Sequence, residues 1–178
     1  MLKIIIPSVE LYDEDKEEFF NTKEYTLALE HSLVSISKWE SLFCVPFLHT
    51  EKKTWFETVE YVRCMTITQN VDSTAYNFLT QGNVKDIEEY IDRTMTATTI
   101  EKSPGNSREI ITSELIYYWL IALGIPFECQ KWHLNRLLTL INVCSIKNQP
   151  PKKRSTAEIV NRNRSLNQAR REKYNTKG

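Results

Sequence analysis

The chain has 178 residues, of which 41% are hydrophobic and 26% are charged. These fractions are usual for globular proteins, so a chain of this length can bury a core and need not be disordered. The length corresponds to one domain of ordinary size and argues against a second full domain. Four glycines and six prolines are too few for a glycine-rich nucleotide-binding fold or for a barrel with many tight turns.

The net charge is zero, but the charges are unevenly distributed along the chain. Residues 147–178 contain ten Lys and Arg residues and only two acidic residues, Glu158 and Glu172, which gives a net charge of +8. Residues 1–146 hold the other 13 basic and 21 acidic side chains, a net charge of −8. We therefore predict a mainly helical globular domain over 1–146 and a basic linker and C-terminal helix over 147–178. The basic end favours an anionic partner: nucleic acid, an acidic protein surface or the chain's own acidic domain.

The N-terminal segment predicts a short β-hairpin. Leu2–Ile6 is rich in β-forming residues, and a polar turn follows at 13–15. The pattern then changes to that of a helix, because Asn21 and Glu24 have the spacing of a capping box. A helix over about 21–43 is predicted from apolar residues at spacings of four, four and three, which are Tyr25, Leu29, Leu33 and Ile36.

Three helices are predicted in the middle of the chain. Thr54 and Glu57 have the spacing of a capping box at the start of the first, and Gly82 is expected to end the second. A loop with four threonines, one proline and one glycine follows over 94–107. The predicted helices cover about 54–69, 72–79 and 84–91.

Two apolar segments in the second half predict an antiparallel helical pair at the structural centre. The first covers 112–123 and ends at Gly124, and the second covers 129–146. A linker at 148–153 precedes a polar, arginine-rich helix that ends near Lys173. The predicted fold class is therefore mainly α (α+β): a multi-helix bundle-like domain with a short N-terminal β-hairpin and a basic C-terminal helix.

The sequence predicts a cytoplasmic protein without a membrane contact. Cys44, Cys64, Cys129 and Cys144 are widely spaced with no CxxC, and the N-terminus lacks the basic and long apolar regions of a secretory signal. The longest uncharged run, Leu115–Phe127, has 13 residues. It is shorter than the roughly 18 to 20 residues that cross a bilayer, so we expect a buried helix there.

The sequence carries no recognisable catalytic or phosphate-binding signature. GxGxxG, GxxxxGK[ST], HExxH and GxSxG are all absent, which favours a non-enzymatic protein with no cofactor. A zinc site is the chemical alternative, because Cys129 and His133 lie four residues apart and Cys64 and Cys144 could join them. Tetrahedral zinc sites usually have two close ligand pairs, so we favour buried free cysteines and a helical histidine without metal.

Two features predict protein binding. Aromatic residues are concentrated over 117–132, where they form either part of the core or a hydrophobic groove for a partner helix. The basic C-terminal helix is predicted to be a charged docking arm, with nucleic acid the less favoured ligand because the segment has one aromatic residue, Tyr174, and no known binding module. The predicted partner-binding residues are Tyr117, Tyr118, Trp119, Phe127, Trp132 and Arg136, and those of the docking arm are Arg162, Arg164, Arg170, Arg171 and Lys173.

Five stretches of the sequence resemble proteins of similar size from tailed bacteriophages. They are EHSLVSISKWE (30–40), EYVRCMTITQNV (60–71), MTATT (95–99), EIITSELIYYWLIALGIPFECQKWHLNRLLTLINVC (109–144) and the ending SLNQARREKYNTKG. The resemblance runs the whole length of the chain. The family it points to is encoded among tail-morphogenesis genes and is similar in role to tail assembly chaperones.

The resemblance implies a non-enzymatic chaperone in the host cytoplasm that holds other tail proteins, above all the long tape-measure protein, before the tail tube polymerises. It supplies no catalytic residues. Two alternatives remain open: a structural component of the virion, such as a tail or head-tail connector subunit, and a small nucleic-acid-binding regulator that acts through the basic C-terminus. The oligomeric state is also open, and a homo-oligomer is compatible with the sequence.

Overall fold

The computed structural model describes residues 1–13, 17–50, 52–99, 109–149 and 156–175. In these residues the fold is mainly α with a small β part, which confirms the predicted α+β class. The backbone divides into two compact units, Met1–Lys147 and Asn148–Gly178. The elements are β1 (Leu2–Ile6), β2 (Glu10–Asp13), β3 (Glu18–Asn21), β4 (Tyr25–Leu29), α1 (Leu33–Phe43), α2 (Trp55–Met65), α3 (Gln81–Asp92), α4 (Ser113–Ala122), α5 (Leu134–Asn148) and α6 (Thr156–Tyr174), with 3-10 helices at Ser73–Phe78 and Phe127–Lys131.

The predicted N-terminal hairpin is present, but it extends further than predicted, because it includes β4. β1 pairs antiparallel with β4, and β2 pairs antiparallel with β3. The two pairs continue one ribbon, because the Thr22 N–H donates to Val9 O and the Val9 N–H donates to Thr22 Oγ1, both at 2.8 Å. The β1–β4 pair buries one face at the strand period of two, and the buried side chains are Ile4, Ile6, Leu27 and Leu29.

The prediction of a helix that starts near Asn21 is wrong, since Tyr25–Leu29 is a strand and α1 begins at Leu33. A spacing of four residues fits a helix face, but it also fits a strand face because four is a multiple of two. Pairing with β1 buries alternate side chains of β4 and decides in favour of the strand. Ser32 is the actual N-cap of α1: its hydroxyl accepts from the Ser35 N–H at 3.3 Å, and Ser35 Oγ accepts from the Ser32 N–H at 2.9 Å.

Helix α1 lies at the centre of the first unit. Its Leu33, Ile36 and Trp39 are completely buried. The indole N–H of Trp39 donates to Glu57 O in the first turn of α2 at 2.9 Å. Both α2 and α4 pack against α1. The prediction that the segments of α4 and α5 form an antiparallel pair at the structural centre is therefore wrong, because α1 lies there instead.

Helix α2 ends at Met65, before the predicted end near Gln69. Thr66 forms an antiparallel bridge to β4, and the Ile67 N–H donates to Ala28 O at 2.8 Å. Strand-like pairing with β4 therefore replaces the last predicted turn of the helix.

The starts of α2 and α3 are both fixed by capping boxes. At α2 the predicted pair is present: Thr54 Oγ1 accepts from the Glu57 N–H at 3.3 Å, and Glu57 Oε2 accepts from the Thr54 N–H at 2.6 Å. At α3 the same role is played by Thr80 and Asn83. The prediction that Gly82 ends a helix is wrong, because the cap before it starts a new helix and Gly82 lies in the first turn of α3.

The buried side chain of Glu40 joins three segments of the first unit. Its Oε1 accepts from the Phe47 N–H at 2.8 Å, and its Oε2 accepts from the Ser113 N–H at 2.7 Å. Ser113 is the first residue of α4, so a carboxylate lies at the positive end of that helix. One side chain thereby connects α1, the loop that follows it and α4.

The last three helices lie close to the predicted segments. Thr112 caps α4, and Gly124 follows it in the left-handed region with φ 64°. The 3-10 helix Phe127–Lys131 replaces the start of the second predicted apolar helix, so α5 begins at Leu134. Helix α6 ends at Tyr174, as predicted to within one residue. No helix in the described part of the chain is both long enough and apolar enough to cross a membrane.

Two predicted loops lie partly outside the described residues. Residues 94–99 form neither helix nor strand, and the rest of the loop predicted over 94–107 lies outside the described residues. Of the linker predicted over 148–153, residues 150–153 are outside.

Candidate partner-binding surface

Helix α4 is apolar on all sides, although one side faces solvent. Glu114 is its one charged residue. Ile116 and Leu120 are completely buried, whereas on the outer side Tyr118 and Ile121 are 62% and 64% exposed. A helix that is apolar all round is normally buried all round. The outer side of α4 therefore has the composition of a covered face, but no described residue covers it.

The exposed side of α4 continues into the following 3-10 helix. Phe127 is 51% exposed, and its ring centroid lies 6.4 Å from that of Tyr117. The half-buried Tyr117 donates its O–H to Gln130 Oε1 at 2.9 Å, which fixes the ring. Burial raises the pKa of Tyr117, so the phenol stays neutral. The side chains of Tyr117, Tyr118, Ile121 and Phe127 together are called the α4 surface below.

The other predicted partner-binding residues are divided between the core and the solvent. Trp119 and Trp132 are half-buried and pack against the core. Arg136 is exposed, and its guanidinium carbon lies 4.0 Å from the ring centroid of Trp132. The guanidinium covers that ring with a cation–π contact. Of the six predicted residues, Tyr118, Phe127 and Arg136 are therefore the accessible ones.

The predicted docking arm is a helix whose five predicted basic side chains are all exposed. On α6 these are Arg162, Arg164, Arg170, Arg171 and Lys173. The Gln168 side chain donates to Glu172 Oε1 at 3.3 Å, and the Lys173 ammonium lies 5.6 Å from the ring centroid of Tyr174. A helix without an apolar stripe gains little from packing, and basic residues dominate the exposed side chains of α6.

The centre of the first unit contains a buried polar cluster that the sequence did not predict. His31 and His133 are 2% and 4% exposed, and their ring centroids are 5.1 Å apart. His31 Nδ1 shares a hydrogen bond with the Tyr61 hydroxyl at 2.5 Å, and His133 Nε2–H donates to Tyr90 O at 3.0 Å. Burial, and then the proximity of His133 and Lys53, lowers the pKa of His31 to about 3. Burial also lowers the pKa of His133, so both rings are neutral at neutral pH.

Both ring nitrogens of His133 are engaged within the protein. Nε2–H donates to Tyr90 O, and Nδ1 accepts from the Asn135 N–H at 3.3 Å. The alternative zinc site at Cys129 therefore lacks its histidine ligand. Across the described ranges, no three His, Cys, Asp or Glu side chains are grouped closely enough to hold a metal ion.

The spacing of the two histidines in the sequence gave no indication that they lie close together in the structure. His31 and His133 are 102 residues apart in the chain, and an isolated bridge between Ser32 and His133 brings them together. Each lies next to the start of a helix. Their role in the structure is to satisfy buried polar groups where several elements meet.

Comparison with known proteins identifies no relative. No family model matches the chain, no curated protein matches it and no solved structure matches it.

Proposed function

We propose that this chain is a non-enzymatic assembly chaperone of a tailed bacteriophage, which binds other tail proteins, in particular the tape-measure protein, in the host cytoplasm. The observation that carries the proposal is the exposed α4 surface on a helix whose composition is that of a buried one. The phage assignment rests on the resemblance of the sequence to tail-morphogenesis proteins.

The α4 surface suits an amphipathic partner helix. Tyr118 and Ile121 are three residues apart and lie on one side of α4, so they present a continuous apolar strip. A tape-measure chain is a long helix with apolar stripes, and its apolar residues at i, i+3, i+4 and i+7 can lie along such a strip. Complete burial of one isoleucine contributes about 1.5 to 3 kcal/mol, so two or three contacts of this kind support specific binding.

The buried histidine cluster supports a role without catalysis. A general base needs access to substrate, whereas His31 and His133 are almost completely buried. Their hydrogen bonds run to Tyr61, Tyr90 and Asn135 within the protein. Both histidines therefore have a structural role.

Co-expression with the tape-measure protein of the same phage tests the proposal. We expect the soluble fraction of the tape-measure protein to rise with the wild-type chain and to stay low with the double variant Tyr118→Ser and Ile121→Ser. Ile67→Ser is a matched control, because Ile67 is 55% exposed but lies outside the α4 surface. A soluble fraction that the wild-type chain leaves unchanged would contradict the proposal.

The alternative is a tail or connector subunit that stays in the particle. Mass spectrometry of purified virions separates the two functions. We expect the chain in lysates of infected cells and not in virions, because a chaperone leaves before assembly is complete. Its recovery from virions in a fixed ratio to a tail protein would favour the structural role.

We propose that α6 is a second contact region for the same partner. Its exposed arginines attract acidic segments, and such attraction weakens as salt screens the charges. The charge-reversal variant Arg170→Glu and Arg171→Glu is expected to weaken partner binding at low salt and to have less effect at high salt. Salt-dependent retention of DNA that this variant abolishes, without any effect on the protein partner, would favour the nucleic-acid-binding regulator instead.

A further inference from the structure

A groove of about 490 Å³ lies between α2 and α3, and it shares no residue with the α4 surface. Its volume falls within the roughly 300 to 1,000 Å³ that is usual for small-molecule sites. Most of the lining is apolar. The apolar and aromatic lining residues are Phe47, Tyr61, Val62, Val84, Ile87 and Ile91.

The groove is lined at one point by a half-buried cation, Lys53. Its Nζ donates to Thr50 O at 2.9 Å and to Phe47 O at 3.1 Å, and it lies 4.0 Å from the ring centroid of Phe47. An ammonium has three donors, so one remains for a ligand. No carboxylate of a described residue comes within 4 Å of this ammonium.

The surroundings of Lys53 favour an anion. Burial lowers the pKa of Lys53, and the nearby Glu57 offsets this in part. Such a shift means that the ammonium has lost hydration without gaining a full counter-charge. A carboxylate that reached Lys53 from the groove would supply that charge in a partly desolvated setting, where charge-assisted hydrogen bonds are strong.

We propose that this groove binds a single carboxylate attached to an apolar body, with the carboxylate on Lys53 and the apolar body against Val84 and Ile91, the two half-buried aliphatic residues of the lining. Lys52 adds a second positive charge to the lining. Glu88 also lines the groove, and its charge disfavours a second anionic group on the ligand. Two sources present this chemistry: a free aliphatic acid, and the C-terminal residue of an apolar peptide.

Calorimetric titration of the full chain with small probes tests the charge requirement. Octanoate is the anionic probe, with octanol and octylammonium as neutral and cationic probes of the same length. We expect octanoate to bind at least tenfold more tightly than either. Equal binding of octanoate and octanol would overturn the proposal. It would also be overturned if neither octanoate nor the peptide acetyl-Leu-Leu-Phe with a free carboxylate bound to the chain.

A pair of peptides distinguishes the source of the carboxylate. Acetyl-Leu-Leu-Phe with a free carboxylate is compared with the same peptide as its amide. Tighter binding of the peptide acid than of octanoate assigns the groove to a chain terminus, and the reverse order assigns it to a free aliphatic acid. Equal binding of the peptide acid and its amide would exclude a chain terminus as the source of the carboxylate.

Three variants locate the site. Lys53→Gln keeps a hydrogen-bond donor but removes the charge, so we expect at least a tenfold loss for octanoate and no change for octanol. Val84→Trp fills the groove from a half-exposed position and should abolish binding while Lys53 remains, which covers the case that Lys53→Gln fails to fold. Lys85→Gln is the control, since Lys85 is exposed on the same helix and does not line the groove. Unchanged octanoate binding in folded Val84→Trp would place the ligand elsewhere and refute the inference.

Discussion

Glu40 illustrates how much one buried side chain contributes to this fold. Its carboxylate accepts from the Phe47 and Ser113 amides, and both N–H groups lose their partner in Glu40→Ala. An unsatisfied buried donor costs about 1 to 3 kcal/mol, so for two donors we expect the free energy of unfolding to fall by about 2 to 6 kcal/mol. Urea unfolding followed by tryptophan fluorescence measures this. Glu89→Ala, at an exposed position of α3, should change stability by less than about 0.5 kcal/mol.

The buried His31 predicts a loss of stability in acid. Its pKa is about 3 in the folded chain and about 6.5 when unfolded, so the unfolded state binds more protons between these values. The free energy of unfolding should therefore be highest above about pH 6.5 and should fall as the pH is lowered from there toward 3. The expected slope from His31 is about 1.4 kcal/mol per pH unit.

The variant His31→Gln tests this assignment, because glutamine can still bond to the Tyr61 hydroxyl but does not titrate. Urea unfolding at several values between pH 4 and 7 should give a shallower dependence than in the wild-type chain. Asn77→Gln is the control, because Asn77 is exposed and the change removes no titratable group, so this variant should keep the wild-type slope. Parallel curves for His31→Gln and the wild-type chain would show that His31 is protonated equally in both states.

At the scale of the element, two glycines with opposite surroundings predict opposite effects. Gly124 ends α4 with φ 64°, a conformation that costs a residue with a Cβ about 1 kcal/mol. Gly82 lies in the first turn of α3, where the Cβ of an alanine would lie 3.7 Å from Thr80 Oγ1, an ordinary contact. We expect Gly124→Ala to lower the melting temperature and Gly82→Ala to raise it, because alanine favours a helix. A fall in both variants would contradict the assigned helix boundaries.

The elements that the sequence predicted well are those with local signals. Thr54 and Glu57 form a capping box within four residues, and Gly124, with Pro126 two residues later, marks the end of α4. The prediction failed where the deciding contact is distant. Tyr25–Leu29 is a strand because of its pairing with β1, and no local pattern separates that outcome from a helix.

The candidate site was predictable only in part, for the same reason. The concentration of aromatic residues over 117–132 pointed to the region of the α4 surface, but composition could not separate Trp119 in the core from Tyr118 in solvent. Ile121 was not among the predicted partner-binding residues, because the sequence does not show which residues of an apolar segment are exposed. The groove at Lys53 and the histidine cluster depend on packing between segments that are far apart in the chain.

At the scale of the whole molecule, the first unit supplies an acidic, well-packed body and the second a basic helix. Among the residues that the structure describes, every member of the hydrophobic core belongs to the first unit. The exposed apolar side of α4 is therefore not needed to complete the core of the chain itself.

The most direct test of this account is the affinity of the purified chain for a helical segment of the tape-measure protein, measured by calorimetry for the wild-type chain, Ile121→Ser and Ile67→Ser. Loss of about 1.5 to 3 kcal/mol of apolar burial predicts at least a tenfold weaker Kd for Ile121→Ser and a Kd within twofold of wild type for Ile67→Ser. Equal affinities for all three chains, or no binding by the wild-type chain, would contradict a partner site on α4.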